Sequence, residues 1–303
     1  MTSSPQLSYY RPSGAAPLGG VAVTLAASVA GGVAMAAVYA FANQHNPVIL
    51  LNVLLTLLFG FTLGWMVSKG VRVFRIRNAA AASAIGLIAF AAAYAAHWPV
   101  YISSLIVDHG EDVSPYNVAL ILRIALELVR EPEEMWGLIK SVNESGVWSL
   151  SSGSHSRGSG IHFRGIFLAA IWAAEAAVIC LAAVTVPWKE ASKPYSERQN
   201  KWLVPNTLPA RVAFIEDVEG LKNALARDDF SALTTPLPAG EANGAKYATI
   251  TLYPDAMEPY VSVHNLSTPD EKKGKSSRQT IKEVIQHLKI SPTTAQKISN
   301  SLA

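Results

Sequence analysis

Four long stretches of the chain consist almost entirely of apolar residues, and each is long enough to cross a lipid bilayer as a helix. A soluble helix of this length normally keeps a charged stripe toward water, whereas lipid accommodates a helix that is apolar all round. The pattern therefore predicts four transmembrane helices, of which the first two form a tight antiparallel hairpin. The four spans are expected at about residues 19–42, 47–67, 79–100 and 165–188.

Polar and charged residues return between the third and fourth apolar stretches. Residues 101–164 contain two helical patterns, which begin at Pro115 and Pro132 because proline is favoured in the first turn of a helix. Both helices are too short to span and too apolar to stand alone in water, so we expect them on the membrane surface or against the end of the bundle. Residues 149–160, mostly serine and glycine, predict a flexible connection back to the fourth span.

The chain beyond the fourth stretch has the composition of an ordinary soluble protein. Residues 189–210, with several prolines, predict an extended juxtamembrane linker, and residues 211–303 predict a small α+β domain. The domain is expected to contain a helix, a β-hairpin of two alternating strands and two further helices, at residues 215–227, 247–253 with 260–266, 280–288 and beyond Pro292.

Together these patterns predict an all-α membrane bundle of four transmembrane helices, with an extracytoplasmic helical segment and a small C-terminal α+β soluble domain. Residues 1–18 form a polar tail ahead of the first span, and that span is longer than the apolar core of a signal peptide. We therefore expect an uncleaved anchor. The distribution of charge agrees with this division, because between residues 12 and 107 charged side chains occur only in one cluster, at 69–77.

Basic residues decide the orientation that we expect, because short loops rich in lysine and arginine stay in the cytoplasm. Both termini are therefore expected in the cytoplasm and residues 101–164 outside. The alanine-rich composition and the lack of a eukaryotic sorting signal favour a plasma membrane of the bacterial inner-membrane type. The residues that set the orientation are Lys69, Arg72, Arg75 and Arg77 after the second span, and Lys189, Lys193, Arg198 and Lys201 after the fourth.

Glu175 is the only acidic residue inside a predicted span, about 16 Å below its outer end and so near the membrane midplane. A carboxylate at that depth costs about 2.5–3.5 kcal/mol on insertion scales, so it must find partners or be protonated. Three interpretations stay open: an ion or proton site, a contact with a basic residue of a partner protein, and a structural glutamic acid hydrogen-bonded between helices. Thr56 and Tyr94 are the neighbours expected at similar depth.

A histidine and two aromatic residues cluster at the outer end of the third span, where His97, Trp98 and Tyr101 complete the set of candidate functional residues. Tryptophan and tyrosine at span ends anchor helices in the headgroup region. A metal or haem at His97 would need further ligands, and its spacing to His155 and His162 matches no metal motif. We therefore expect an interfacial histidine, with no metal and no cofactor.

Searches for catalytic motifs find no phosphate loop, dinucleotide-binding glycine pattern, HExxH or GxSxG sequence. No catalytic residue is assigned, and the question of enzymatic activity stays open. The single cysteine, Cys180, allows no intrachain disulfide and no cysteine-ligated zinc site. Residues 280–302 resemble a helix-turn-helix but lack a third helix and a basic recognition helix, so no nucleic-acid partner is expected.

The function favoured by the sequence is that of a scaffold or regulatory subunit of a membrane complex, whose cytoplasmic domain binds a partner. The expected partners are the lipid bilayer and another protein or a second copy of the chain, and the sequence identifies no small-molecule ligand. A small transporter or channel subunit that uses Glu175 is the first alternative. The second alternative is a membrane enzyme acting on lipid or envelope precursors, with His97, His162 or Glu175 in its site.

Overall fold

A computed structural model divides the chain into two compact units. The bundle unit comprises residues 14–192, and the sheet unit comprises residues 193–303 together with the described part of residues 1–13. Pro115, His155 and most of the predicted flexible connection, residues 151–160, lie outside the described residues. The structure describes residues 7–46, 48–108, 114, 116–146, 148–150, 161–238, 246–267 and 280–303.

The bundle unit is built from helices, four of which are long and apolar enough to cross a membrane. These four, α1, α2, α3 and α6, correspond to the predicted spans, and the C-terminal end of each helix lies several residues beyond the predicted end of its span. A short antiparallel strand pair, β1 (Trp148–Leu150) with β2 (Ile161–Phe163), comes between α5 and α6. The helices are α1 (Leu18–His45), α2 (Ile49–Val73), α3 (Ala79–Asp108), α4 (Val118–Arg130), α5 (Pro132–Ser145) and α6 (Ile166–Ala191).

Small residues let the long helices approach closely. Gly86 on α3 lies so near α6 that a Cβ there would overlap the carbonyl oxygen of Ala183. Gly32 on α1 is buried in the same way, since a Cβ there would lie 2.9 Å from the side chain of Leu63 and 3.3 Å from that of Ala93. Close approach of this kind is how helices gain van der Waals contact where burial from water supplies little driving force.

The two shorter helices pack against the C-terminal end of α3. On α4 the residues Ile121, Ala125 and Leu128 are buried, and they share one apolar cluster with Tyr101 and Ile102 of α3. Asn117 caps α4, because its side-chain oxygen accepts a hydrogen bond from the backbone N–H of Leu120 at 3.1 Å. The two shorter helices were expected either on the membrane surface or against the end of the bundle. The inner face of α4 packs against the end of the bundle.

The sheet unit contains a four-stranded antiparallel sheet in the order β5-β6-β7-β8. The predicted hairpin is confirmed, with Tyr247 opposite Leu266 and Tyr253 opposite Tyr260. The predicted juxtamembrane linker holds a small strand pair, β3 with β4, in place of a purely extended chain. The elements are β3 (Tyr195–Ser196), β4 (Lys201–Trp202), β5 (Asn206–Thr207), α7 (Val218–Ala226), α8 (Ser231–Thr234), β6 (Lys246–Tyr253), β7 (Tyr260–Ser267), β8 (Thr280–Lys289) and α9 (Pro292–Leu302).

The prediction of a helix at residues 280–288 is wrong, because these residues form strand β8. Its apolar residues fit the spacing of a helix, but a register shift in the pairing with β7 lets Val284 and Ile285 both be buried in a strand. Three of the first six residues are β-branched and apolar, which favours a strand wherever a neighbouring strand is present. The resemblance of residues 280–302 to a helix-turn-helix therefore fails as well.

Residues 8–10, which belong to the predicted polar tail ahead of the first span, extend the sheet at the outer edge of β8. The N–H of Lys289 donates to the carbonyl of Ser8 at 2.8 Å, and the N–H of Tyr10 donates to the carbonyl of His287 at 2.9 Å. The Tyr10 ring packs edge-on against Tyr260, with ring centroids 5.3 Å apart. The N-terminal segment is thus a structural part of the C-terminal domain.

Candidate functional site

The residues singled out in the sequence line one small pocket inside the bundle unit. Glu175 comes from α6, Asn43 from α1, and four aromatic or histidine side chains come from α3. His97, Trp98, Tyr101 and Glu175, the four candidate functional residues, are therefore brought together, although their functional role stays a prediction. The lining residues are Asn43, Tyr94, His97, Trp98, Tyr101, Leu168, Ile171, Trp172 and Glu175.

Helical spacing explains why α3 contributes so many side chains to the pocket. Tyr94, His97, Trp98 and Tyr101 follow one another at intervals of three, one and three residues, so they lie on the same face of the helix. The His97 and Tyr101 rings stack with centroids 5.5 Å apart, and the Trp98 ring meets Tyr94 edge-on at 6.1 Å. This packing holds the imidazole in a fixed orientation toward the pocket.

The first two helices add a hydrogen-bonded pair beside His97. The Tyr39 and Thr56 hydroxyl oxygens are 2.9 Å apart, and Thr56 donates to the carbonyl of Asn52. Because the single Thr56 proton is used in that bond, the Tyr39 hydroxyl is the donor to Thr56. The Tyr39 ring lies 5.1 Å from the His97 ring. Thr56, expected from the sequence as a neighbour of Glu175, thus uses its hydroxyl to anchor Tyr39.

Two buried polar atoms of the pocket have no hydrogen-bond partner among the described residues. They are Nδ1 of His97, whose residue is 5% exposed, and Oδ1 of Asn43, whose residue is 9% exposed. The Tyr94 hydroxyl is engaged elsewhere, because it donates to the carbonyl of Trp172 at 3.2 Å. Unpaired buried polar atoms are costly, so two of them on residues that line one pocket need a physical explanation.

Glu175 is only partly buried, and the pocket provides it with no cationic side chain from Lys or Arg among the described residues. Its carboxyl interacts electrostatically with the hydroxyl groups of Tyr39, Tyr94 and Tyr101. The free space in the pocket is about 10 Å³, which is about the room that one water molecule needs. The pocket is therefore very small, and it places one carboxyl group among aromatic and apolar side chains.

A much larger apolar cavity of about 590 Å³ lies next to this pocket. The two share Trp98 and Trp172, whose rings meet edge to face with centroids 4.9 Å apart. A pair of tryptophans therefore forms a common wall between a polar compartment and an apolar one. The cavity lies among α3, α5 and α6, and its lining residues are Ala95, Trp98, Met135, Trp136, Ile139, Lys140, Asn143, Glu144, Ala169 and Trp172.

The polar residues of the cavity all come from the second half of α5. Lys140 lies over the Trp136 ring, with the ammonium nitrogen 5.6 Å from the ring centroid. Asn143 fixes the end of α5 to the start of α6, because its side-chain amide donates to the carbonyl of Gly165 at 3.0 Å. The N–H of Gly165 returns a bond to the Asn143 carbonyl at 2.8 Å. These contacts hold the polar rim of the cavity in place.

Sequence reasoning identified the α3 cluster and Glu175, but it missed Asn43, Tyr39 and the whole apolar cavity. The sequence contains one indication for Asn43, because this residue is polar and lies at the end of a long apolar stretch. No group of three His, Cys, Asp or Glu residues that could hold a metal ion occurs within the described ranges. No protein-family model, curated protein or solved structure matches the chain. The function must therefore be argued from the geometry of these two compartments.

Proposed function

We propose that the chain is a four-span protein of a bacterial inner (plasma) membrane that acts as a regulatory subunit. In this proposal the outer end of the bundle binds a membrane amphiphile, and the C-terminal domain docks a partner protein in the cytoplasm. The observation that carries the proposal is the course of α6. This helix lines both compartments through Trp172 and continues to Ala191, after which the sheet unit begins at Lys193.

The pairing of residues 8–10 with β8 supports the proposed topology. Residues before α1 and after α6 belong to one compact unit, so they lie on the same side of any membrane that the helices cross. Four crossings meet this condition because four is an even number. The basic residues at 69–77 and after α6 then favour the cytoplasm for that side.

The outer face of α4 supports the proposed position of the shorter helices at the membrane surface. Val118, Leu122, Leu126 and Val129 are exposed and follow one another on one side of the helix, next to the side that packs on α3. Arg123 and the other charged residues lie on the far side. A helix with this pattern is suited to the boundary between acyl chains and headgroups.

The apolar cavity supports the binding of an amphiphile. Its walls are mainly tryptophan, methionine, isoleucine and alanine, and its polar residues Lys140, Asn143 and Glu144 come from one short stretch of α5. A concave apolar site with a few polar groups at one edge is the usual form of a ligand pocket. An acyl chain in the cavity and a polar headgroup near α5 fit this distribution.

The ligand can be tested by native mass spectrometry of the full-length protein in mild detergent, with phosphatidylethanolamine and phosphatidylglycerol as probes. We expect one bound lipid, which the Ala169→Trp variant loses because the new side chain occupies part of the cavity and competes with the acyl chain. Ala170→Trp is the matched control, since Ala170 is exposed on the same helix and is not a lining residue. Equal lipid binding by both variants would contradict the site.

The regulatory part of the proposal needs a separate readout in the sheet unit. We expect lipid removal to change hydrogen exchange of the amides in β6 and β7, and we expect the Ala169→Trp variant to show the lipid-free pattern throughout. Exchange rates that are the same with and without lipid would refute a regulatory role and leave lipid binding standing. The two parts of the proposal can thus fail independently.

The orientation can be tested with impermeant maleimide on intact cells, after Cys180→Ala removes the single native cysteine. Ser145→Cys and Arg75→Cys place an exposed thiol at the end of α5 and after α2, respectively. We expect labelling at position 145 and none at position 75 until the membrane is permeabilised. The reverse pattern would place the C-terminal domain outside.

A small transporter or channel subunit is the second candidate, because Glu175 and His97 line the same pocket. Ionisable side chains in the interior of a bundle are a common feature of proton and ion pathways. This candidate requires flux of protons or cations through proteoliposomes containing the purified chain alone. It also requires that Glu175→Gln abolishes the flux while leaving the amount of folded protein unchanged.

A further inference from the structure

We infer that Asn43, His97 and Glu175 form a binding site for one small cation inside the bundle, either a proton taken up by the Glu175 carboxyl with a water molecule beside it, or a sodium ion. The inference goes beyond the proposed regulatory function and does not depend on it. It rests on three observations of the pocket: an uncompensated carboxyl group, two unpartnered polar atoms, and a free volume that admits a single small species.

The charge of Glu175 supplies the attraction. A carboxylate taken out of water loses hydration energy that only an opposite charge, a proton or several hydrogen bonds can restore. The titratable groups that face Glu175 among the described residues are His97 and the hydroxyls of Tyr39, Tyr94 and Tyr101, on α1 and α3. From α2 the nearby side chain is Thr56, which does not titrate. A small cation is the simplest species that compensates the carboxylate in these surroundings.

The unpartnered atoms indicate the chemistry of the missing species. Oδ1 of Asn43 is a carbonyl oxygen and can only accept hydrogen bonds or coordinate a cation. Nδ1 of the neutral His97 ring has the same capacity when the proton is on Nε2. The Tyr39, Tyr94 and Thr56 hydroxyl protons are engaged with other acceptors, so they do not supply these two atoms. A water molecule that accepts from the protonated Glu175 carboxyl can donate to both atoms, and a sodium ion can be coordinated by both.

The size of the pocket decides between a small ion and a larger ligand. About 10 Å³ of free space admits one water-sized species and excludes an organic substrate. Helices α1, α3 and α6 each contribute one of the three site residues, so binding would tie three helices of the bundle together. Ligand binding to the folded state alone raises its stability, so the melting temperature reports the occupancy of the site.

The test is thermal unfolding of the full-length protein in mild detergent, in two arms. In the first arm sodium chloride replaces N-methylglucamine chloride at constant pH and ionic strength. In the second arm the pH varies in sodium-free buffer. We expect the melting temperature of the wild type to rise with one of the two ions, and we expect Glu175→Gln to abolish that response. A response to sodium identifies the metal ion, and a response to pH alone identifies the proton.

Asn43→Ala and His97→Gln keep the inference testable if Glu175→Gln fails to fold. We expect each to weaken the same response about tenfold in ion concentration, because each removes one ligand of the ion. Glu134→Gln is the matched control, since Glu134 is an exposed carboxylate that lines neither the pocket nor the apolar cavity, and its response should equal that of the wild type. Responses to sodium and to pH that are identical in the wild type and in all three site variants would overturn the inference.

Discussion

The bundle unit and the sheet unit distribute their polar and apolar side chains in opposite ways. In the bundle unit Leu50 and Ile166 are each 79% exposed, while Thr24 and His97 are buried. In the sheet unit the buried positions are mainly aliphatic, and Ile250 is an example with no exposed surface. The outer surface of the bundle therefore suits lipid and that of the sheet unit suits water, which is the difference expected for a chain that meets two solvents.

The hydrogen bonds of buried polar side chains show what this difference means for function. In the bundle unit Thr24 and Ser68 donate to carbonyls four residues earlier in the same helix, at 2.7 and 2.8 Å. In the sheet unit the buried Asn265 bonds to both backbone groups of Ile215, at 3.0 and 2.7 Å. Among the buried side-chain atoms without a hydrogen-bond partner in the described residues, Oδ1 of Asn43 and Nδ1 of His97 are the two that belong to residues lining the Glu175 pocket, which makes them candidates for binding.

The largest effect that we expect tests whether the core of the sheet unit depends on aliphatic burial. Ile285 and Ile281 are the same residue type in strand β8, but they are 2% and 64% exposed. Ile285→Ala should lower the free energy of unfolding of the sheet unit by about 2–5 kcal/mol, because it leaves a cavity among well-packed neighbours. The measurement is hydrogen exchange of β6 and β7 amides in the full-length protein.

Ile281→Ala is the control for that experiment, and it should change the free energy of unfolding by no more than about 0.5 kcal/mol. Equal costs for the two substitutions would mean that Ile281 is covered, for example by a partner or a second copy of the chain. That result would break the simple contrast between a buried face and a water-exposed face in this strand.

The second prediction tests whether the bundle unit depends on small residues instead of large ones. Gly86→Ala should lower the free energy of unfolding by about 1–3 kcal/mol, because its methyl group meets a backbone carbonyl of α6 that cannot move aside alone. Gly137→Ala in α5 is the control, since nothing lies near its added methyl group, and it should stabilise by up to about 1 kcal/mol. Thermal unfolding in mild detergent measures both, and a neutral Gly86→Ala would refute the close approach.

Much of the fold could be predicted because the relevant signals lie within single segments. The four long helices follow from uninterrupted apolar stretches, and the hairpin of β6 and β7 follows from alternation around Pro254 and Asp255. Helix α3 continues to Asp108, beyond the predicted end of the span at about residue 100, because its later turns pack on α4, and a length based on bilayer thickness gives no information about them. The strand β8 was missed because its spacing fits a helix and only its pairing with β7 decides otherwise.

The candidate site was predictable only in part, for a similar reason. Glu175 is visible in the sequence because a charge interrupts an apolar stretch, and the α3 residues are visible because they recur on one helical face. Asn43 could not be assigned to the same site, since its proximity to Glu175 depends on how α1 packs in the bundle. The apolar cavity depends on α5, whose position relative to α3 and α6 has no local signal.

A third prediction concerns the sheet unit at acidic pH. Burial, together with the neighbouring His264, lowers the pKa of His287 from the ordinary 6.5 to about 4. Between these pH values the unfolded chain binds more protons than the folded chain, so stability should fall as the pH drops from 6.5 to 4. Because His287 is only partly buried, we expect a loss of about 1 kcal/mol and not the full equivalent of the shift.

The His287→Phe variant isolates this contribution, because an aromatic ring at this position keeps the packing against Tyr253, whose ring centroid is 4.8 Å away. We expect its stability to fall less steeply than that of the wild type between pH 6.5 and 4, with the two curves compared by slope. The measurement is hydrogen exchange of β7 and β8 amides at each pH. Parallel curves would show that other groups carry the acid sensitivity.

The smallest effect that we expect belongs to an ion pair on the surface of the sheet unit. Lys289 and Glu258 lie 2.7 Å apart, with side chains that are 41% and 55% exposed. Water screens such a pair, so Glu258→Gln should lower the free energy of unfolding by about 0.5 kcal/mol or less, and the difference should vanish at high salt. Lys289 also holds residue Ser8 through its backbone, which the substitution leaves intact. The measurement is hydrogen exchange of the β8 amides. A larger loss that persists at high salt would mean that this edge of the sheet is shielded from water. The sheet unit would then have a covered surface in addition to the water-exposed surface that distinguishes it from the bundle unit.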